Sequence, residues 1–238
     1  MAIKLSTTRN AASNGVKVLC HGPSGSGKTR LCATTGASTL IISAEAGLLS
    51  LREVDIPVLE VASLADVHEA YQYVAASAEG QQFEWVCLDS ISEIGEVVLS
   101  SEKRATADPR KAYGAMQDQM YELIRAFRDL KGRNVYFSAK QSKQKDEATG
   151  AVLYGPSMPG QQLPQGLPYL FDEVFSLRVV TDNDGNTQRW LQTQRDFQYE
   201  AKDRSGALDA YELPDLGAVA AKIRSAVNPA ATAATTQE

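Results

Sequence analysis

The sequence is poor in cysteine, contains no long apolar run and carries no excess of positive charge. Its 238 residues hold three cysteines, Cys20, Cys32 and Cys87. Their separations match no metal-ligand spacing, so they do not read as a metal site. Cys20 and Cys87 fall within apolar, strand-like runs, where a thiol serves as a small core residue. No run of eighteen apolar residues occurs, which excludes a membrane-spanning helix. Residues 1–9 lack the apolar core of a signal peptide. These features lead us to expect a reduced, cytoplasmic protein without a membrane partner. The net charge is −5, so any nucleic-acid contact has to come from local basic segments. No internal repeat is present. What the chain does have is 43% hydrophobic residues, enough to build the core of one large α/β domain.

One stretch organises the rest. Residues 16–21 form an apolar run, and Gly22, Pro23, Ser24, Gly25, Ser26, Gly27, Lys28 and Thr29 follow it directly. These eight match the phosphate-loop pattern G-x-x-x-x-G-K-[ST]. The glycines permit backbone conformations closed to residues with a Cβ, so successive N–H groups can turn toward phosphate oxygens. A helix starting near Lys28 aims the positive end of its dipole at the same anion. Lys28 adds a full charge, Thr29 offers a hydroxyl to Mg²⁺, and Arg30 lies beside them. A strand before the loop and a helix after it are the context that the pattern requires. A nucleoside triphosphate site is expected here.

Hydrophobic patterning places the other elements. A short helix is expected at 29–35, with Gly36 as its stop signal. Strands are expected at 39–43, 56–61, 85–88 and 134–139. Pro57 puts the second of these at a sheet edge. Ser63 caps a helix whose apolar face is Leu64, Val67, Tyr71, Val74 and Ala78. Met116, Met120, Leu123, Phe127 and Leu130 recur every three or four residues and mark a long amphipathic helix. Residues 142–168 hold much glycine, proline and glutamine and read as a long loop. Residues 173–180 and 188–193 read as a hairpin joined by Asp182-Asn183-Asp184-Gly185-Asn186. A closing helix is expected at 216–227. The expected organisation is a flexible N-terminus at 1–14, one domain at 15–227 and a disordered Ala/Thr-rich tail at 228–238. Alternating strands and helices imply a mostly parallel sheet with helices on both faces.

A phosphate loop needs a partner carboxylate for Mg²⁺. Asp89 ends the run Trp85-Val86-Cys87-Leu88 and would lie on the ligand side of a parallel sheet. Glu45 follows another apolar run and could take a proton from the attacking water, or simply face solvent at a helix start. Gln141 follows the fifth strand, where an amide could sense the γ-phosphate or be an ordinary loop residue.

Together these residues resemble the core of the RecA-type ATPases. That family carries a phosphate loop on its first strand and a catalytic glutamate after the next. Its magnesium carboxylate follows in an Asp-Ser pair, and its glutamine couples nucleotide to DNA. The matching positions are Gly22 to Thr29, Glu45, Asp89-Ser90 and Gln141, and the resemblance spans roughly residues 15–195. The stretch from Pro159-Gly160 to Phe171-Asp172-Glu173-Val174 is similar to compact RecA-like ATPases of bacteriophages, including single-strand annealing and recombination proteins. The resemblance implies an α/β, mostly parallel RecA-like P-loop sheet with a C-terminal β-hairpin. It also implies ATP and Mg²⁺ as cofactors and a catalytic set of Lys28, Glu45 and Gln141. DNA-stimulated ATP hydrolysis would follow, in the bacterial host cytoplasm if the protein is phage-encoded.

The same resemblance points to two DNA-facing segments. The first carries Lys103, Arg104, Arg110 and Lys111. The second carries Lys143 and Lys145, which can neutralise phosphates, and Tyr154, which can stack on a base. Expected partners are single-stranded DNA, a ring or filament of identical subunits with ATP between them, and a single-strand-binding protein. Arg195, Lys202 and Arg204 are candidates for a cation donated to a neighbour's ATP. Two other functions use the same loop. One is a small-molecule kinase, for which no compact arginine lid is visible. The other is a nucleotide-gated loader or switch.

Overall fold

The computed structural model describes residues 14–45, 47–145 and 150–227. Of the segments expected to be flexible, 1–14 and 228–238, residues 1–13 and the whole tail lie outside the described residues. Ten strands form one sheet. In chain order they are β1 (Lys17–Gly22), β2 (Thr39–Ser43), β3 (Val58–Glu60), β4 (Trp85–Asp89), β5 (Asn134–Lys145), β6 (Val152–Ser157), β7 (Glu173–Thr181), β8 (Thr187–Gln192), β9 (Lys202–Asp203) and β10 (Tyr211–Glu212). The helices are α1 (Leu64–Ala76), α2 (Ile91–Ala105), α3 (Pro109–Arg128), α4 (Gln162–Leu170) and α5 (Leu216–Val227).

The strand order is β10-β8-β7-β1-β5-β4-β2-β3, with β6 pairing to β5 and β9 to β7. The block β7-β1-β5-β4-β2-β3 is parallel throughout. The fold is therefore α/β with a mostly parallel sheet, as the alternating pattern implied. The β7–β8 hairpin is antiparallel, and its turn is held by Asp182, whose carboxylate accepts the Asp184 and Asn186 amides.

Period-two alternation divides each buried strand between two cores. Leu19, Leu40, Ile42, Val86, Leu88, Val135, Phe137 and Val174 face one layer, with α1, α2, α3 and α4. Val18, Cys20, Ile41, Trp85, Cys87, Tyr136 and Phe175 face the other, with Leu31, Cys32 and α5. The methionines of α3 are packing residues in the first layer. Ser63 caps α1 by accepting the Asp66 amide, and Asp66 returns the bond to Ser63 N. β3 is the edge strand, as Pro57 suggested.

Three expectations need correction. The helix after the phosphate loop is a 3₁₀ segment, Thr29–Thr34. Residues 142–145 and 150–168 are not a long loop, and 146–149 lie outside the described residues. β5 runs on to Lys145 and folds back as an antiparallel hairpin onto β6, and α4 follows. Apolar patterning did not show the hairpin because the outer half of β5 alternates Ser, Lys and Gln, and β6 carries Gly155 and Pro156, which read as loop residues. Gly155 sits within the β5–β6 ladder opposite Ser142. The basic residues around 103–111 sit on helix ends: Lys103 and Arg104 are in the last turn of α2, Arg110 and Lys111 in the first turn of α3, and residues 106–108 join the two.

Two buried charges are conspicuous at or near the sheet. Lys17 donates to the carbonyls of Leu130 and Arg133, at 2.8 and 2.5 Å, and burial pushes its pKa down to about 8. Glu173 on β7 stands opposite Asp203 on β9. Burial, reinforced by the Asp203 charge, pushes the Glu173 carboxyl up to about 8. Asp203 stays ionised because Ser205 and backbone amides donate to it. Glu173 thus holds the proton of the pair at neutral pH. A carboxyl whose pKa is raised on folding favours the folded state at low pH. It loses that advantage as pH rises from its unfolded value near 4.5 through about 8. Glu173→Gln fills the same space without titrating. It is expected to be more stable than the parent at pH 8.5 by on the order of a few kcal/mol, and nearly equal at pH 4.5. Urea midpoints across that range check this; a pH-independent difference would contradict the assignment.

Candidate nucleotide-binding site

Parallel register brings the functional positions to one edge. Gly22 ends β1 beside Lys140 of β5, and Ser43 ends β2 beside Asp89 of β4. The phosphate loop leaves β1 at this edge. Gly25 and Gly27 have φ of 74° and 107°, conformations that strain any residue with a Cβ. Ser26 Oγ is buried and has no partner, a polar atom left for a ligand to satisfy. Tyr136 supports the loop from the sheet, its hydroxyl donating to Lys28 O at 3.0 Å.

A cavity of about 970 Å³ opens over this edge, a size that suits a nucleotide. Its walls include all of Gly22–Arg30, together with Glu45, Asp89, Gln141 and Arg189. The structure thus brings together every residue of the expected catalytic, nucleotide and metal sets. Lys28 Nζ donates to the carbonyls of Gly22 and Pro23, at 2.9 and 3.0 Å, and burial lowers its pKa. Arg30 donates to Ser50 O at 3.0 Å.

Thr29 Oγ1 donates to Asp89 Oδ2 at 2.7 Å, and Ser138 Oγ donates to Asp89 Oδ1. Burial raises the Asp89 pKa, while the Ser138 and Thr29 bonds act against that rise. A hydroxyl and a carboxylate side by side suit a hard divalent cation. Among the described residues no cluster of three or more His, Cys, Asp or Glu could hold a metal alone. A cation here would therefore draw its remaining ligands from phosphate and water. Glu45 accepts a bond of 2.5 Å from Ser90 Oγ, and Ser43 Oγ donates to Glu45 O.

Gln141 is held by a buried histidine. His21 is fully buried on β1, and burial pushes its pKa down to about 4, so the ring is neutral. Nε2 must donate to Glu200 O, 2.7 Å away, because a carbonyl only accepts. Nδ1 is then the acceptor, and it receives Gln141 Nε2 at 3.4 Å.

The other candidates lie elsewhere. Lys143 and Lys145 are exposed on β5. Tyr154 on β6 pairs across from Lys143 and stacks on Tyr199, ring centroids 5.0 Å apart. Lys103, Arg104, Arg110 and Lys111 are exposed at the α2–α3 junction. Arg195 faces Glu200 at 3.7 Å, Arg204 pairs with Asp172 at 2.8 Å, and Lys202 donates to Pro168 O. None of these three borders the cavity of its own chain. Sequence reasoning missed Ser138, His21 and Arg189. The first two were detectable as polar residues inside apolar strand runs. Arg189 gave no signal, because only the folding of the β7–β8 hairpin brings it to the loop.

No helix among the described residues is long and apolar enough to cross a membrane. No curated protein matches the sequence significantly. A KaiC-like protein, PH0186 from the hyperthermophilic archaeon Pyrococcus horikoshii OT3, is structurally similar at 15% identity and a TM-score of 0.43. The similarity covers 75% of this chain and 77% of that one. The sequence profile of the AAA domain matches residues 14–205, which includes every wall residue of the cavity except Pro214. The chain belongs to the AAA domain family, and its phosphate loop is that of a P-loop ATPase.

Proposed function

We propose that the protein hydrolyses Mg·ATP in this cavity and uses the nucleotide state to control binding of single-stranded DNA, acting as an oligomer in strand annealing or recombination. The observation that carries this reading is the continuity of β5. Its first half is buried in the sheet, Gln141 borders the cavity, and the same strand continues outward with Lys143 and Lys145. Residues two apart share a strand face, so Gln141, Lys143 and Lys145 lie on one side. Tyr154 stands opposite Lys143 on that side. A shift of Gln141 toward or away from a γ-phosphate would move the base of a basic, aromatic hairpin. Such a surface suits single strands, by phosphate neutralisation and base stacking.

The roles follow from position. Lys28 and the loop amides bind the phosphates and stabilise charge developing in the transition state. Thr29 and Asp89 would hold Mg²⁺, which when bound would supply positive charge to stabilise the phosphates. Glu45, oriented by Ser90, accepts the proton of the attacking water as the bond from the γ-phosphorus to the bridging oxygen breaks. The proton then leaves with phosphate.

Two expectations test the two halves of the proposal. Lys28→Ala should weaken ATP binding about 10- to 100-fold. Glu45→Gln should retain ATP binding but slow turnover about 10²- to 10⁴-fold. Single-turnover and equilibrium measurements separate these, and unchanged turnover in Glu45→Gln would remove Glu45 as the base. For the DNA half, oligothymidine should raise the ATPase rate. The double variant Lys143→Ala/Lys145→Ala should bind it more weakly, with the log–log salt slope reduced by about 0.7 per lysine. A wild-type protein with no salt-sensitive binding and no stimulation would refute the DNA role while leaving the ATPase in place.

A further inference from the structure

The β7–β8 hairpin brings to the phosphate loop a cation that the sequence did not single out. We propose that Arg189 is a phosphate-binding residue acting in cis: its guanidinium, docked on the phosphate loop of its own chain, contacts the polyphosphate of the bound nucleotide. The proposal rests on the nucleotide-binding reading of the cavity and extends it.

Strand alternation explains how Arg189 arrives there. On β8, Leu191 packs into the core layer that holds Leu31, Cys32 and Leu177, the layer on which the segment after the phosphate loop rests. Arg189 lies two residues away on the same face, beyond the edge of that core. β7 pairs directly with β1, so the hairpin stands next to the loop. Arg189 Nε donates to Ser26 O at 2.9 Å. Its Cδ and Nε lie 3.6 Å from the place where a Cβ on Gly27 would be. The arginine therefore occupies the space that the second loop glycine leaves open, and it borders the cavity.

The state of its charge is equally informative. Arg189 has no carboxylate partner among the described residues, and the Ser26 bond uses only Nε. The four N–H groups on its two terminal nitrogens are left for a ligand. Two other nearby cations are engaged: Lys140 pairs with Glu93, and Arg178 bonds Gln192 Oε1 and covers the Tyr199 ring. Arg30, bonded to Ser50 O, also borders the cavity but is not docked on the phosphate loop. Arg195, Lys202 and Arg204, expected from sequence as donors to a neighbour, are held by Glu200, Pro168 O and Asp172. A guanidinium matches phosphate with a rigid planar fork. Fixing it through Nε sets the plane of the fork before the ligand arrives, so less is lost on ordering.

The test measures binding of ATP and of inorganic tripolyphosphate, which has no base or ribose, to wild type, Lys28→Ala, Arg189→Ala and Arg189→Lys. Arg189→Ala is expected to lose about 10- to 100-fold in affinity for both ligands. The ligand-free melting temperature should change by no more than a few degrees, since a single part-buried hydrogen bond is removed. Arg189→Lys keeps the charge but not the fork, and should recover part of the loss. Mixing Lys28→Ala with Arg189→Ala subunits should restore no turnover, because each active site needs both residues from one chain. Wild-type affinity in Arg189→Ala, or a loss for ATP with none for tripolyphosphate, would overturn the proposal. Restored turnover on mixing would overturn its cis character. If wild type itself bound neither ligand and Lys28→Ala changed nothing, the nucleotide reading would fail first. A wild type that binds with Lys28 dependence, beside an indifferent Arg189→Ala, would fail only the present inference.

Discussion

The hydrogen bond from Thr29 Oγ1 to Asp89 Oδ2, 2.7 Å long, ties the phosphate loop to β4, and the site depends on that tie. β1 and β4 are not neighbours; β5 lies between them. The loop must therefore cross the end of β5 to reach the acid. It does so because Ser138 of β5 donates to the same carboxylate from below, and Tyr136, two residues earlier on the same strand, holds Lys28 O. One buried carboxylate thus collects the ends of three elements. Its burial raises its pKa, a cost that a bound divalent cation would remove by stabilising the charged form. The same strand then leaves the site as Gln141 and becomes the exposed hairpin. Nucleotide chemistry and the external surface share a single piece of backbone.

The rest of the molecule keeps that edge in place. Each parallel strand sends alternate side chains into two dry layers. A one-residue slip would reverse every one of them, which pins the register. Register in turn fixes Gly22 beside Lys140 and Ser43 beside Asp89. At the far end of β1, Lys17 accepts a depressed pKa of about 8 to close the carbonyls after α3. Near the other end of β1, His21 is kept neutral and joins Gln141 to Glu200 O. Glu200 N in turn donates to Tyr154 O. The cavity wall and the hairpin are therefore linked twice, once along β5 and once through His21.

Much of this was legible in the sequence, for reasons that can be named. Buried parallel strands announce themselves as short apolar runs, and β2 and α5 fall where that pattern put them. A phosphate loop has to spend glycines at positive φ and cannot hide. Asp89 was visible as a charge that closes an apolar run; Glu45 and Gln141, open to bland readings on position alone, were singled out by the family resemblance. The β5–β6 hairpin was not legible, because the outer half of β5 is polar and the glycine and proline of β6 read as loop. The helix ends that carry Lys103, Arg104, Arg110 and Lys111 were not legible, because charge alone says nothing of the capping by Asp108. Arg189 was invisible for a topological reason. It lies 163 residues from Ser26 in sequence, and no local pattern encodes a contact of that range.

The most direct measurement is a crystal structure grown with Mn²⁺ and a non-hydrolysable ATP analogue. The expected result is an anomalous manganese peak beside Thr29 and Asp89, with the Lys28 ammonium moved from the Gly22 and Pro23 carbonyls onto phosphate. A nucleotide bound away from this edge, or Lys28 still on those carbonyls beside an empty loop, would contradict a site built by the carboxyl ends of β1, β2, β4 and β5.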